Sequence, residues 1–126
     1  MTQEQKELLL KDLCGRLPYG VKVQKYSYEG VETIETLCEI DSDGYMSTLE
    51  CETLVPISKP YLFPLSSMTE EQDKEYALLQ TSAGKEGFLY AWNCANMIEW
   101  LIENHFDYNG LIPKGLAIDA TNKNIY

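Results

Sequence analysis

His105 is the only histidine of the chain and the first side chain to examine for chemistry. A histidine that acts as a general base or a metal ligand usually has an acidic group or a second ligand beside it. Cys94 lies in the same predicted helix, but their separation along that helix is roughly 16 Å. We therefore expect no Cys94–His105 dyad. We interpret His105 as a structural residue near a helix end, where the helix dipole favours the charged imidazolium.

Two groups of carboxylates are the next candidates for chemistry. Glu99 and Glu103 lie on one face of the same predicted helix, and paired carboxylates can work as acid and base or bind a metal. No histidine stands at a ligand spacing from them, so we interpret them as a solvated face. Asp41 and Asp43 belong to the string DSDG, which lacks the ligand order and the distal glutamate of a calcium loop. We interpret that string as a turn.

The recognisable catalytic motifs are missing from the sequence. It contains no phosphate-binding loop, nucleophile elbow, zinc-protease motif or dinucleotide fingerprint. The four cysteines stand at positions 14, 38, 51 and 94, and none forms a C-x-x-C pair. We therefore predict neither a metal site nor a cofactor. We expect free thiols, with Cys38 and Cys51 diagonally placed on neighbouring strands but not bonded.

Length and charge limit the class of protein. A chain of 126 residues is the length of one domain, which we place at 1–126. The net charge of −10 argues against binding to a nucleic-acid backbone, and it fits either a solvated acidic surface or a basic partner. The start of the chain lacks the pattern of a signal peptide, and no apolar run reaches the ~18 residues of a membrane span. We expect a cytoplasmic protein without membrane contact.

The stretch from Tyr90 to Phe106 is the strongest helix signal, and the fold is predicted to be organised around it. Its apolar side carries Ala91, Cys94, Ala95, Ile98, Leu101, Ile102, His105 and Phe106, and its polar side carries Asn93, Asn96, Glu99, Glu103 and Asn104. Trp100 breaks the pattern, because it falls on the polar side beside Asn93, Asn96 and Met97. It either packs under a second layer of the same chain or contacts a partner.

Residues 20–55 change to the alternating pattern of strands, with turns at Glu29-Gly30 and Asp43-Gly44. A register that pairs Val23 with Thr36, and Ile40 with Ser47, puts every apolar set on one face of the sheet. In that register Ile34, Cys38 and Ile40 face the core, and the other face is acidic and wet. We predict a three-stranded antiparallel meander that curls toward a small barrel.

The remaining elements are placed by capping and proline signals. Thr2 with Gln5, and Thr69 with Gln72, are capping boxes that open helices. Prolines at 56, 60 and 64 predict an extended strap over a sheet edge. LIPKGLAIDA predicts a short edge strand, and NKNIY a tail. The fold is therefore predicted to be α+β: an N-terminal helix, the meander, the strap, two C-terminal helices and an edge strand.

Three strings carry a resemblance to known proteins: KELLLKDLCGRLPYGVKV near the start, KPYLFPLSSMTEEQ at 59–72, and WLIENHFDYNGLIPKGLAIDA at 100–120. They resemble a group of small proteins from gut Bacteroidales and from their phages and mobile elements. Residues 25–54 match that group less well. The group has no assigned activity, so no catalytic residue carries over. The resemblance implies a cytosolic bacterial protein of phage or mobile-element origin.

These observations favour a non-catalytic binding protein over an enzyme. We expect its partner to be a protein, bound through Trp100, Met97, Asn93 and Asn96, and one version is a phage protein that inhibits a host defence. The sequence leaves the oligomeric state open.

The alternative is a small-molecule-binding protein or hydrolase with a pocket between the sheet and the central helix. Asn93, Asn96, His105 and Asp107 would supply its polar groups. An enclosed cavity with a perturbed His105 would favour this alternative, whereas a solid core with an exposed histidine would favour the binding protein.

Overall fold

The computed structural model describes the backbone of residues 1–26, 30, 32–49, 51–81 and 91–126, and the side chains of these residues except 26, 51–54, 80–81 and 91–93. The elements in chain order are α1 (Gln3–Arg16), β1 (Lys22–Tyr26), β2 (Glu32–Ile40), β3 (Tyr45–Thr48), β4 (Cys51–Pro56), β5 (Tyr61–Leu62), α2 (Glu70–Thr81), α3 (Ala91–Glu103) and β6 (Ile118–Asp119). Short 3₁₀ turns lie at Leu17–Tyr19 and Leu65–Ser67. The predicted α+β class is confirmed.

Helix α1 begins at the predicted capping box. The Thr2 hydroxyl accepts a hydrogen bond from the Gln5 N–H at 3.1 Å, and the Gln5 side chain accepts one from the Thr2 N–H at 2.9 Å. These two bonds satisfy backbone donors that a helix start otherwise leaves unpaired. Leu9 and Leu13 are fully buried in the core, so the apolar face of α1 packs on the rest of the fold.

The sheet has four antiparallel strands in the order β1-β2-β3-β4, curled into a half-barrel. The prediction of three strands is wrong at one point. The expected third strand breaks after Thr48 and resumes at Cys51 as β4, and these two residues pair directly across the turn. Leu49 lies exposed in that turn, because folding back after four residues leaves its side chain outside the ladder.

The predicted register of β2 is also wrong, by one residue on each side. Thr36 pairs with Lys22 rather than Val23, and Ile40 pairs with Met46 rather than Ser47. A slip of one residue moves every side chain to the opposite face. Leu37 is accordingly buried at 2% exposure, while Ile34 is 48% exposed.

Cys38 is exposed as well, in contrast to its predicted place on the inner face. The predicted neighbour of Cys38, the Cys51 thiol, lies outside the described side chains. The Glu29-Gly30 turn is described only at Gly30, whose φ of +76° suits a tight turn. The Asp43-Gly44 turn is confirmed: the Asp41 carboxylate accepts from the N–H groups of Asp43 and Tyr45.

The proline strap runs along the free edge of β1, as predicted. Pro60 forms a bridge with Val23, and the Gln24 N–H donates to the Lys59 carbonyl at 2.9 Å. The strap then becomes β5, which pairs in parallel with β6, the predicted edge strand. Tyr61 and Leu62 are buried.

The main core joins α1, the inner face of the sheet, β5 and the loop that precedes β6. Its buried members are Leu9, Leu13, Val21, Val23, Leu37, Met46, Leu62, Leu111, Leu116 and Ala117. Among the described side chains, no residue of α2 or α3 belongs to this cluster. The two later helices are therefore attached to the fold by other contacts.

Helix α2 begins at the second predicted capping box, because the Thr69 hydroxyl accepts from the Gln72 N–H at 3.2 Å and the Gln72 side chain accepts from the Thr69 N–H at 2.9 Å. Helix α3 ends at Glu103, earlier than the predicted Phe106; its predicted start at Tyr90 lies outside the described residues. The Phe106 N–H donates to the Leu101 carbonyl, and the His105 N–H to the Ile102 carbonyl. This pair of bonds is a Schellman motif, and it places His105 in the left-handed region with φ +62°.

Candidate functional site

Trp100 is half-buried and lies between two aromatic rings of the same chain. Its ring stacks on Tyr76 of α2 with centroids 5.6 Å apart, and on Phe106 with centroids 5.7 Å apart. Of the two alternatives for this tryptophan, packing under a second layer of the chain is the one observed. The stack fixes α2 against α3, since large aromatic contacts dominate such small interfaces.

The other predicted contact residues, Asn93, Asn96 and Met97, belong to α3. Asn96 is exposed, Met97 is half-buried, and the side chain of Asn93 lies outside the described ones. Glu99 and Glu103 are exposed on the same helix. The Tyr19 hydroxyl donates to the Glu99 carboxylate at 3.0 Å, and this bond raises the pKa of Tyr19.

Helix α2 carries further exposed carboxylates. Seven exposed polar or acidic residues of the two helices are together called the acidic helix face: Glu70, Glu71, Asp73, Glu75, Asn96, Glu99 and Glu103. Helix α2 contains four carboxylates and one basic residue, Lys74. Helix α3 contains two carboxylates and no basic residue. The two helices therefore carry a net charge of −5, half of the −10 of the whole chain.

His105 lies just past α3 with its imidazole stacked on the Tyr126 ring, the centroids 3.6 Å apart and the planes within 12°. Its Nδ1 is buried and has no hydrogen-bond partner in the described part of the chain. Burial, followed by the positive charges of Arg16 and Lys22, lowers the pKa of His105 to about 4. The helix dipole favours the charged imidazolium, but these three effects outweigh it.

Asp107, the second predicted pocket residue, is buried and organises the following turn. Its two carboxylate oxygens accept from the N–H groups of Leu111 at 2.7 Å and Ile112 at 2.9 Å. The perturbed pKa of His105 was a criterion for a catalytic pocket. Here burial and the neighbouring positive charges of Arg16 and Lys22 account for the lowered pKa, and no catalytic pocket is needed to explain it.

Tyr126 holds three parts of the chain together, although the sequence indicated only a tail. Its hydroxyl accepts from the Lys22 N–H and donates to the Tyr61 carbonyl, both at 2.7 Å. Its ring also meets Phe63 in a tilted contact at 5.8 Å. Desolvation of the hydroxyl raises the pKa of Tyr126, although the residue as a whole keeps 41% of its surface exposed. No spacing rule singles out this residue, because its contacts lie about sixty and a hundred positions earlier in the chain.

A buried charge pair in α1 was also missed by the sequence reasoning. The Arg16 Nε donates to Asp12 Oδ2 at 2.7 Å, and its Nη2 donates to the Phe106 carbonyl at 2.6 Å. The Asn109 amide donates to Asp12 Oδ1 at 2.8 Å, and the Arg16 guanidinium lies 5.2 Å from the centroid of the Tyr108 ring. The pair clamps α1 to the loop that follows α3.

A second buried pair, Lys25 with Glu35, lies on the inner face of the half-barrel. The Lys25 Nζ is 3.7 Å from a Glu35 oxygen, and the hydroxyls of Thr33 and Thr48 donate to the same carboxylate at 2.5 and 2.6 Å. Burial raises the pKa of Glu35, but the two hydroxyls and Lys25 outweigh it, so the net shift is downward. The predicted register hid this pair, because it placed Glu35 on the wet face.

The chain was compared with protein-family models, with curated proteins and with solved structures, and no match was found. None of the helices among the described residues combines the length and the apolar character that a membrane crossing requires. The described residues also contain no group of three or more histidine, cysteine or acidic side chains arranged to hold a metal ion.

Proposed function

We propose that this protein is a non-catalytic binding protein, and that a partner protein docks on the acidic helix face through a basic surface. The observation that carries the proposal is the imbalance of charge on two adjacent helices: α2 and α3 hold six carboxylates and one basic residue, a net charge of −5. Exposed carboxylates on two adjacent helices steer a basic partner toward these helices and repel acidic proteins. The predicted contact residues Asn93, Asn96 and Met97 belong to α3, so they lie in the same helical layer.

Trp100 has an indirect role in this proposal. It packs against Tyr76 and so sets the spacing of the two helices whose outer sides the partner contacts. Replacing Trp100 would therefore weaken binding by shifting α2, which makes it a poor probe of direct contact. The exposed carboxylates are better probes, since their side chains lie outside the packed layer; Glu99 accepts a hydrogen bond from the Tyr19 hydroxyl, and E99Q keeps an amide oxygen that can accept it.

The cellular setting is part of the same proposal and is supported by the three resembling sequence strings. We propose a bacterial cytosolic protein of phage or mobile-element origin that blocks a host defence by binding one of its components. We do not extend the proposal to a hydrolase, because the imidazole of His105 and the carboxylate of Asp107 are both engaged within the fold.

The test compares two variants of equal net charge. The helix variant carries E71Q, E75Q, E99Q and E103Q. The control variant carries E4Q, E7Q, E39Q and D43N, four exposed carboxylates on α1, β2 and the β2–β3 turn. A partner is captured from a Bacteroides lysate with the wild-type chain, released with salt, identified by mass spectrometry and purified. Its affinity for the three proteins is then measured by calorimetry.

We expect the helix variant to lose at least about tenfold in affinity, the equivalent of about 1.4 kcal/mol, while the control variant stays within about twofold. Binding to the wild type should also weaken as salt is added. Equal losses in both variants would show that only the overall charge matters, and the acidic helix face would then not be the docking surface.

A further inference from the structure

The surroundings of Tyr126 form a site shaped for a phenol. Four groups form this site, which we call the tyrosine slot: the His105 imidazole, the Phe63 ring, the Lys22 N–H and the Tyr61 carbonyl. The imidazole covers one face of the Tyr126 ring, and Phe63 makes a tilted contact. At the far end the Lys22 N–H donates to the hydroxyl and the Tyr61 carbonyl accepts from it. A ring without a hydroxyl would lose both of these hydrogen bonds, so the slot favours tyrosine over phenylalanine.

The backbone of the slot is held in an unusual conformation. His105 has φ +62° at the position after α3 where glycine or asparagine is the usual residue. A residue other than glycine is uncommon in the left-handed region, and histidine is one of the types that adopt it more readily than most. The stack on Tyr126 is the contact that an imidazole at this position makes and that glycine would lack.

Tyr126 reaches the slot through an exposed connection. Ala120 is buried, and its N–H donates to the Leu62 carbonyl at 2.8 Å. Residues 121–124 are then exposed, and Asn122 and Asn124 have φ of +64° and +51°. The four slot contacts join Tyr126 to the body of the fold, so the same contacts are available to a tyrosine that arrives from another chain.

We propose that the tyrosine slot is a docking site for a tyrosine in an extended segment, that Tyr126 fills it in cis, and that Tyr126 of a second copy exchanges into it. The inference goes beyond the proposed function, which concerns α2 and α3. A tethered segment has an effective concentration in the millimolar range, so exchange is expected only at high protein concentration or when the cis tyrosine is removed.

The first test uses the full chain with Tyr126→Ala, which empties the slot. A fluorescently labelled, capped peptide TNKNIY is titrated against it and followed by fluorescence anisotropy. We expect saturable binding, binding about tenfold weaker for TNKNIF, and no binding for TNKNIA. The matched control is His105→Asn with Tyr126→Ala, in which asparagine tolerates the left-handed backbone but offers no ring, and it should lose the peptide.

Two outcomes would overturn the slot. One is a folded Tyr126→Ala protein that leaves TNKNIY unbound at millimolar concentration. The other is equal peptide affinity with and without the His105 ring. If Tyr126→Ala does not fold, Tyr126→Phe replaces it, because it keeps the stack and loses only the hydroxyl bonds. The peptide must then bind that variant more tightly than it binds the wild type.

The second test asks whether Tyr126 of a second copy of the chain occupies the tyrosine slot. Wild-type protein and Tyr126→Ala protein with different affinity tags are mixed at several concentrations, and mixed dimers are isolated by sequential capture. We expect mixed dimers whose yield rises with concentration and which excess TNKNIY peptide abolishes. Peptide binding without mixed dimers would contradict the second copy as the occupant and would point to a tyrosine of another protein.

Discussion

At the scale of single residues, the buried pair of Asp12 and Arg16 gives the strongest expectation for stability. Both side chains have no exposed surface, so replacing one partner leaves a buried charge without compensation. We expect Arg16→Met to lower the free energy of unfolding by about 3–5 kcal/mol. Urea denaturation followed by circular dichroism measures the change, and Lys11→Ala, at an exposed neighbour, should stay within about 0.5 kcal/mol.

The double variant Asp12→Leu with Arg16→Met separates charge from packing. Since it removes both charges together, we expect it to be more stable than Arg16→Met alone. A double variant as unstable as the single one would show that the bonds to Phe106 and Asn109, rather than the unpaired charge, carry the effect.

His105 gives a prediction for pH. Its pKa in the fold is about 4, below the ordinary 6.5, so the unfolded chain binds the proton more readily between these values. The free energy of unfolding should therefore be highest above pH 6.5 and fall as the pH drops toward 4. Arg16 of α1 and Lys22 of β1 are the charges that disfavour the imidazolium.

Unfolding curves of the wild type and of His105→Asn between pH 4 and pH 7 provide the measurement. The difference between them isolates the histidine from the carboxylates, which titrate in both proteins. We expect the stability gap to narrow as the pH falls. A gap that is constant over this range would mean that His105 titrates alike in the folded and the unfolded chain.

Single residues also show how far the sequence leads. Thr2 and Thr69 predict the starts of α1 and α2 correctly, because a capping box is complete within four residues of sequence. Arg16 gives no such signal, since a charged residue in an amphipathic helix is assigned to the solvent side by pattern. Its burial depends on the Phe106 carbonyl, ninety positions later in the chain.

At the scale of elements, strand β2 tests the register. Leu37 belongs to the core and Ile34 lies half-exposed, the reverse of the order that the sequence pattern predicts. We expect Leu37→Ala to cost about 2–5 kcal/mol in the free energy of unfolding and Ile34→Ala less than about 1 kcal/mol. Urea denaturation of the two variants decides between the registers, because the predicted register requires Ile34→Ala to be the costlier change.

The register was out of reach of the sequence for a physical reason. Apolar residues occupy both alternating sets of positions in β2. Ile34, Cys38 and Ile40 belong to one set and Leu37 alone to the other, so the sequence pattern predicts the wrong set to face the core. The strand also has an irregularity between Leu37 and Glu39, which shifts the pairing with β3 midway. The strap and the edge strand were predictable, since prolines and short apolar runs restrict the backbone locally.

At the scale of the whole molecule, two clusters hold the chain together. The main core joins α1, the half-barrel and the loop before β6, while a row of aromatic rings attaches α2 and α3. The rings follow one another from Tyr76 through Trp100, Phe106, Phe63 and Tyr126 to His105. The same two helices, which lie outside the main core, bear a net charge of −5 with a single basic residue, and residues 22–56 bear a net charge of −6, so repulsion acts on both parts of the molecule.

This arrangement predicts how salt changes stability. Raising NaCl from about 20 mM to about 300 mM shortens the range of charge repulsion to well below the size of the molecule, so the urea midpoint of the wild type should rise. The helix variant with E71Q, E75Q, E99Q and E103Q should respond less to salt than the control variant with E4Q, E7Q, E39Q and D43N. The two variants have the same net charge, so a smaller response of the helix variant locates the repulsion on the acidic helix face. Equal salt responses would instead mean that charge repulsion acts evenly over the surface. That result would remove the electrostatic argument for a docking face on α2 and α3.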